Sequence, residues 1–76
     1  MKITYDPLAD AMYIYFNQKP VKETVAVDKD LIIDYGSNRV PVGIEMLSVS
    51  KKMSKKSLLS VKVKLLTHQR KLLLQK

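Results

Sequence analysis

The sequence predicts an α+β chain, a small antiparallel β-meander of four to five strands followed by a basic C-terminal helix. Three observations predict it. Up to Leu47, short runs alternate apolar and polar residues, which is the period of a strand. Pro, Gly, Asn and Asp punctuate those runs, and such short gaps favour hairpins over the long crossovers that parallel strands need. From Lys51 onward there is neither Gly nor Pro, and Lys, Leu, Arg and Gln are good helix formers.

The elements follow in order. Lys2 to Tyr5 alternates, with Ile3 and Tyr5 on one face. Asp6-Pro7-Leu8-Ala9-Asp10 reads as a turn. Pro7 presets φ for the second position, and the Asp6 carboxylate can accept from the backbone two residues on. In Ala11 to Phe16, Met12, Ile14 and Phe16 share one face and Ala11, Tyr13 and Tyr15 the other, so a central strand is expected. Asn17 to Pro20 is a loop. Val21 to Asp28 is a third strand and Leu31 to Tyr35 a fourth. Gly36-Ser37-Asn38 is a turn whose Gly and Asn tolerate positive φ. Val40 to Leu47 is a fifth strand with Val42, Ile44 and Met46 inward. Pro41 and Gly43 inside it predict an edge strand or a bulge.

The tail is apolar and basic at once. Leu58, Leu65 and Leu72 lie seven apart, as do Leu59, Leu66 and Leu73. On a helix, the apolar residues cover more than half the circumference, with Lys62 and Gln69 inside the stripe. Val61 to Leu65 alternates like a strand instead. Helix is the expectation, on composition. The chain thus divides into a sheet domain over 1–48 and a Lys/Leu-rich helix or tail over 49–76.

Charge divides at the same place. Residues 1–50 carry seven acids and five bases, while residues 51–76 carry nine bases and no acid. The net charge of the whole chain is +7.

Three blocks resemble a known family: Tyr5-Asp6-Pro7-Leu8-Ala9-Asp10-Ala11-Met12-Tyr13-Ile14, Glu23-Thr24-Val25-Ala26-Val27-Asp28, and Val42-Gly43-Ile44-Glu45-Met46-Leu47. Their order and spacing resemble the small prokaryotic domain-of-unknown-function 2283 family over residues 1 to about 50. The resemblance implies a compact β-rich domain with no catalytic residues to carry over. It also implies an antitoxin-like partner role, since some members are encoded beside small toxin-like proteins. Two features depart from the family pattern. Gly36-Ser37-Asn38-Arg39 replaces the usual acidic turn, with Pro41 added to the strand, and the tail from Lys51 is unlike the family's short ending.

Composition sets several chemistries aside. With no Cys and one His there is no disulfide framework, no thiolate site and no zinc set. No Gly-rich phosphate loop occurs, and no Ser, His and acid constellation. Asp6 and Asp10 could form a metal or acid/base pair, but turn chemistry explains both residue types by itself. Asp28-Lys29-Asp30 with Asp34 is similar to a calcium loop, yet lacks its Gly and its bidentate Glu. His68 has no acid anywhere in its segment to orient it. No catalysis, cofactor, metal or small-molecule substrate is therefore expected. Neither a targeting segment nor an apolar run long enough to span a bilayer is read, and a cytoplasmic location is expected.

Two surfaces remain. Tyr13, Tyr15, Val42 and Ile44 are candidate interface residues. Aromatics that stack on single-stranded bases are the other reading of the two tyrosines. Lys51, Lys52, Lys55, Lys56, Lys62, Lys64, Arg70 and Lys71 are candidate phosphate or partner contacts, although a solvated face or a tail lying on the acidic half accounts for them as well. A sheet this small is marginal alone, because apolar burial and chain entropy nearly cancel at this size. A meander with apolar residues on both faces needs cover, from the tail helix or a second copy. The expected function is a non-catalytic interaction module that self-associates or binds a protein, pairing through an edge strand around Val40–Leu47. The alternative is nucleic-acid binding through the basic tail.

Overall fold

The computed structural model describes residues 1–67. Five strands form one antiparallel sheet: β1 (Lys2–Asp6), β2 (Ala11–Tyr15), β3 (Glu23–Asp28), β4 (Leu31–Tyr35) and β5 (Pro41–Met46). Their spatial order is β1-β2-β5-β4-β3. The β1–β2 hairpin and the β3–β4–β5 meander join where β5 pairs with β2.

The first turn forms by the chemistry read from its residues. Asp6 Oδ1 accepts from the N–H groups of Leu8 at 2.9 Å and Ala9 at 3.4 Å. Asp28 Oδ1 accepts from Asp30 N–H at 2.8 Å, closing the β3–β4 turn. Asn38 takes positive φ, at 58°, as expected of that turn, but Gly36 does not. Gly36 sits instead in a tight space: a Cβ there would lie 3.1 Å from the Pro20 carbonyl oxygen and 3.2 Å from a Val42 methyl.

The fifth strand corrects the expected edge. It lies between β2 and β4, and the outer strands are β1 and β3. The alternative held in that reading is the one observed, a register shift where Asp34 pairs Gly43 but Tyr35 pairs Pro41. The extra residue, Val42, places Pro41 where the ladder is already irregular, so its missing N–H is tolerated inside the sheet.

The register puts one face in rows. Ile3, Ile14, Ile44, Ile33 and Val25 face one another across all five strands. Beside them runs the row Tyr5, Met12, Met46 and Leu31. The core is correspondingly thin: Ala11, Met12, Val42 and Val49 are the buried apolar side chains among the described residues.

Among the described residues the expected C-terminal helix is much shorter than the sequence suggested. Helix α1 spans Lys55–Leu58 alone, with Ser54 as N-cap accepting from Ser57 N–H at 3.1 Å. Residues 59–67 form no helix, and their apolar residues are exposed, Leu59 at 79% and Leu65 at 87%. An apolar set spread around the circumference gives a helix no face to bury, and helices this short are marginal without packing. Arg70, Lys71 and the Leu72–Leu74 run lie outside the described residues, as does His68. Among the described residues no helix is long and apolar enough to cross a membrane.

Candidate functional site

Both faces of the sheet and one of its ends hold the residues of interest. On the face opposite the isoleucine row, Tyr13 on β2 reaches over β5. Its hydroxyl donates to Asp34 Oδ2 on β4, and Asp34 Oδ1 accepts from the Thr24 hydroxyl on β3 at 2.7 Å. One polar chain thus spans four strands. Gly43 makes the span feasible, because a Cβ there would sit 2.6 Å from Tyr13 Cε1. Burial first, and then the bond to Asp34, hold the Tyr13 hydroxyl well above the ordinary phenol range. It is therefore a poor nucleophile and a fixed donor.

Tyr15 stacks beside it, ring centroids 4.2 Å apart and tilted by 40°. The Lys2 ammonium lies 4.6 Å from the centre of the Tyr15 ring. Tyr13, Tyr15 and Val42 line one open groove of about 400 Å³ with Lys2, Lys19 and Val21. The structure therefore brings three of the four sequence-read interface residues together. Ile44 stands apart from them, in the middle of the isoleucine row.

At the end of the sheet, two carboxylates grip the segment leaving β5. Asp10 accepts from Tyr5 Oη at 2.7 Å, Ser50 N–H at 3.0 Å and Ser50 Oγ at 2.7 Å. Asp30 Oδ2 pairs with Lys52 Nζ at 3.0 Å and Lys29 Nζ at 3.2 Å. These bonds, from Ser50 to Asp10 and from Lys52 to Asp30 foremost, hold both carboxyls below the usual range. The turn between them folds back tightly enough to bury Val49, the most enclosed side chain described, at 1% exposure. Asp10 and Asp30 are thus structural anchors, a role the sequence reading missed; an acid directly beside a turn, with bases and serines some twenty to forty residues on, gave no local signal.

The tail cations separate. Lys52 is held by Asp30 and by the Leu47 carbonyl at 3.3 Å. Among the described residues, Lys51, Lys55, Lys56, Lys62 and Lys64 form no ion pair and are exposed. No group of His, Asp and Glu able to hold a metal occurs among the described residues.

The isoleucine face is only partly enclosed. Ile14, Ile33, Ile44 and Val25 are only half-buried, and Ile3 is 38% exposed. The segment after β5 lies along the Tyr5 end and the β1 side of this face: Tyr5, Val49, Met53 and Leu58 line one small cleft, and Ile3 shares a groove with Leu58 and Val61. At the far end, Arg39 lies 4.5 Å over the Tyr35 ring and pairs with Glu23 at 3.3 Å. Between those ends Ile14, Ile44 and Ile33 are neither fully buried nor exposed.

No curated protein and no solved structure matches the chain. The sheet itself does match: residues 2–50, its five strands and the turn after them, fit the family model described as protein of unknown function (DUF2283), and the chain belongs to that family.

Proposed function

We propose that the chain is a non-catalytic interaction module whose open isoleucine face takes another polypeptide, a second copy of itself in the first place. The observation that carries this is the row Ile3, Ile14, Ile44, Ile33 and Val25, which crosses the whole sheet with no fully buried member. Burying such side chains contributes roughly 1.5–3 kcal/mol each, and a lone sheet gains little of it. A small protein partner, as in an antitoxin-like role, would use the same face. The lack of Cys fits a reducing, cytoplasmic setting. Light scattering on size-exclusion fractions, with a hydrophobic dye added, tests the reading. The expected result is a mass above one chain that falls on dilution while dye fluorescence rises. A concentration-independent monomer that binds no dye contradicts it.

The second reading, nucleic-acid binding, rests on Lys51, Lys55, Lys56, Lys62 and Lys64, which are exposed and outside the ion pairs of the described residues. Filter binding at several salt concentrations tests it. Phosphate contacts by about five cations give a log–log slope near −4.5. Binding that is insensitive to salt and to the Lys62→Glu/Lys64→Glu pair removes this reading.

A further inference from the structure

The two outer strands differ in how they are guarded. β3 carries a register shift between Ala26 and Asp28, and its ends are acidic, Glu23 and Asp28. Bulges and like charges are common ways of blunting a sheet edge. β1 has neither. It pairs with β2 in unbroken register from Lys2 to Asp6, and four of its five residues are exposed. Its outer backbone groups therefore form a straight ladder with no partner among the described residues.

The sequence of β1 is self-complementary when read against its own reverse. Antiparallel pairing centred on Thr4 sets Lys2 opposite Asp6, Ile3 opposite Tyr5 and Thr4 opposite Thr4. Each chain then gives one opposite-charge pair and one aliphatic–aromatic pair, both of which stabilise antiparallel ladders. Asp6 has capacity for a cation, since its bonds to the turn N–H groups use Oδ1 alone among the described residues. Beside the strand lies an open groove of about 510 Å³, lined by Ile3, Tyr5, Pro7, Leu58, Leu59 and Val61 with Thr4 and Lys55. Leu59 is 79% exposed there and Val61 58%. An incoming strand would cover these apolar side chains while satisfying the edge.

We propose that two copies of this chain join by antiparallel pairing of their β1 strands about Thr4, forming one continuous ten-stranded sheet. The pairing is isologous, so the Lys2–Asp6 contact forms twice in one dimer, once for each Lys2. It goes beyond the functional reading above. That reading uses the isoleucine face, which edge pairing leaves open, so the two surfaces stand or fail separately.

A cysteine probe reads the geometry directly, because the chain has no Cys of its own. Facing residues in antiparallel strands place their Cα atoms about 4.5–5.5 Å apart, within disulfide reach. The full-length Thr4→Cys chain should form a covalent dimer under mild oxidation. The Val27→Cys chain, with its thiol on the exposed edge of β3, should not. Adding Lys2→Glu to Thr4→Cys sets like charges opposite each other and should slow cross-linking about tenfold, whereas Lys2→Arg should leave it unchanged. Circular dichroism on each variant confirms a folded sheet. The proposal is overturned if folded Thr4→Cys chains stay uncross-linked, if Val27→Cys cross-links as fast, or if Lys2→Glu has no effect. Light scattering on the same samples separates the surfaces: an associated chain that resists cross-linking at Thr4 removes the edge and leaves the face.

Discussion

The Tyr13 hydroxyl donates to the Asp34 carboxylate across the backbone of Gly43, linking β2 to β4 over the strand between them. Three residues far apart in sequence thereby fix the strand order, since only β5 in the middle brings them together.

Gly43 is expected to reject any side chain. A Cβ would stand 2.6 Å from the Tyr13 ring and 2.8 Å from the Ile14 carbonyl oxygen, which is backbone and cannot turn aside. Gly43→Ala should destabilise the fold by about 1–3 kcal/mol in urea unfolding. Adding Tyr13→Phe should not rescue it, because the Ile14 clash remains.

Tyr13→Phe and Asp34→Asn should each cost about 1–2 kcal/mol, and their double variant should cost less than the two combined, as expected for one shared hydrogen bond. A double-variant cycle by chemical denaturation reads the coupling. Additive losses would mean that the two side chains act independently.

Alkaline titration follows from the same bond. The folded Tyr13 hydroxyl ionises above its unfolded value of about 10, so it contributes stability that is fully present below that pH and lost as pH rises toward the folded value. Thermal melts from pH 8 to 11 should show a fall at the top of the range that is smaller in Tyr13→Phe. Ultraviolet titration should lose its most alkaline step in Tyr13→Phe.

Acid acts on the other end of the sheet. Asp10 and Asp30 have lowered values when folded, so the stability they give is present above the ordinary carboxylate range near 4 and lost as pH falls through the folded values. The melting temperature of Asp10→Asn should lie below that of the unaltered chain at pH 7 and converge with it near pH 2. Asp30→Asn should behave likewise. A difference that persists undiminished in acid would show that charge is not what these anchors supply.

Val49 is enclosed by the fold-back that those anchors hold. Val49→Ala should cost about 2 kcal/mol, two buried methyl groups plus the space they leave. A loss under 0.5 kcal/mol, roughly that of a surface change, would mean that the segment lies loosely on the sheet.

Much of the sheet was legible because its signals are local. Alternation placed the strands to within a few residues, and Asp6 and Pro7 announced their turn. The position of β5 was not, because Pro41 and Gly43 weaken a strand by any local rule. Their compatibility with a central place depends on a bulge and on the Tyr13 ring, both of which are tertiary. The polar chain from Tyr13 to Thr24 was hidden for the same reason: its members are adjacent only once the strand order is known. It also changes the character of that face. The reading from Tyr13 and Tyr15 was of a second apolar side, whereas the fold occupies Tyr13 with Asp34 and Tyr15 with Lys2. In the tail, composition favoured helix, but among the described residues, helix-forming residues without a single apolar face sustain only the capped turn at Lys55–Leu58.

The isoleucine methyl groups test most directly whether another chain covers the open face. A soluble paramagnetic agent should broaden the Ile14, Ile33 and Ile44 methyl signals strongly in dilute protein and spare them as concentration rises, with Ile32, on the opposite face, as the internal reference. Signals broadened equally at every concentration, or already spared in the most dilute sample, would contradict it.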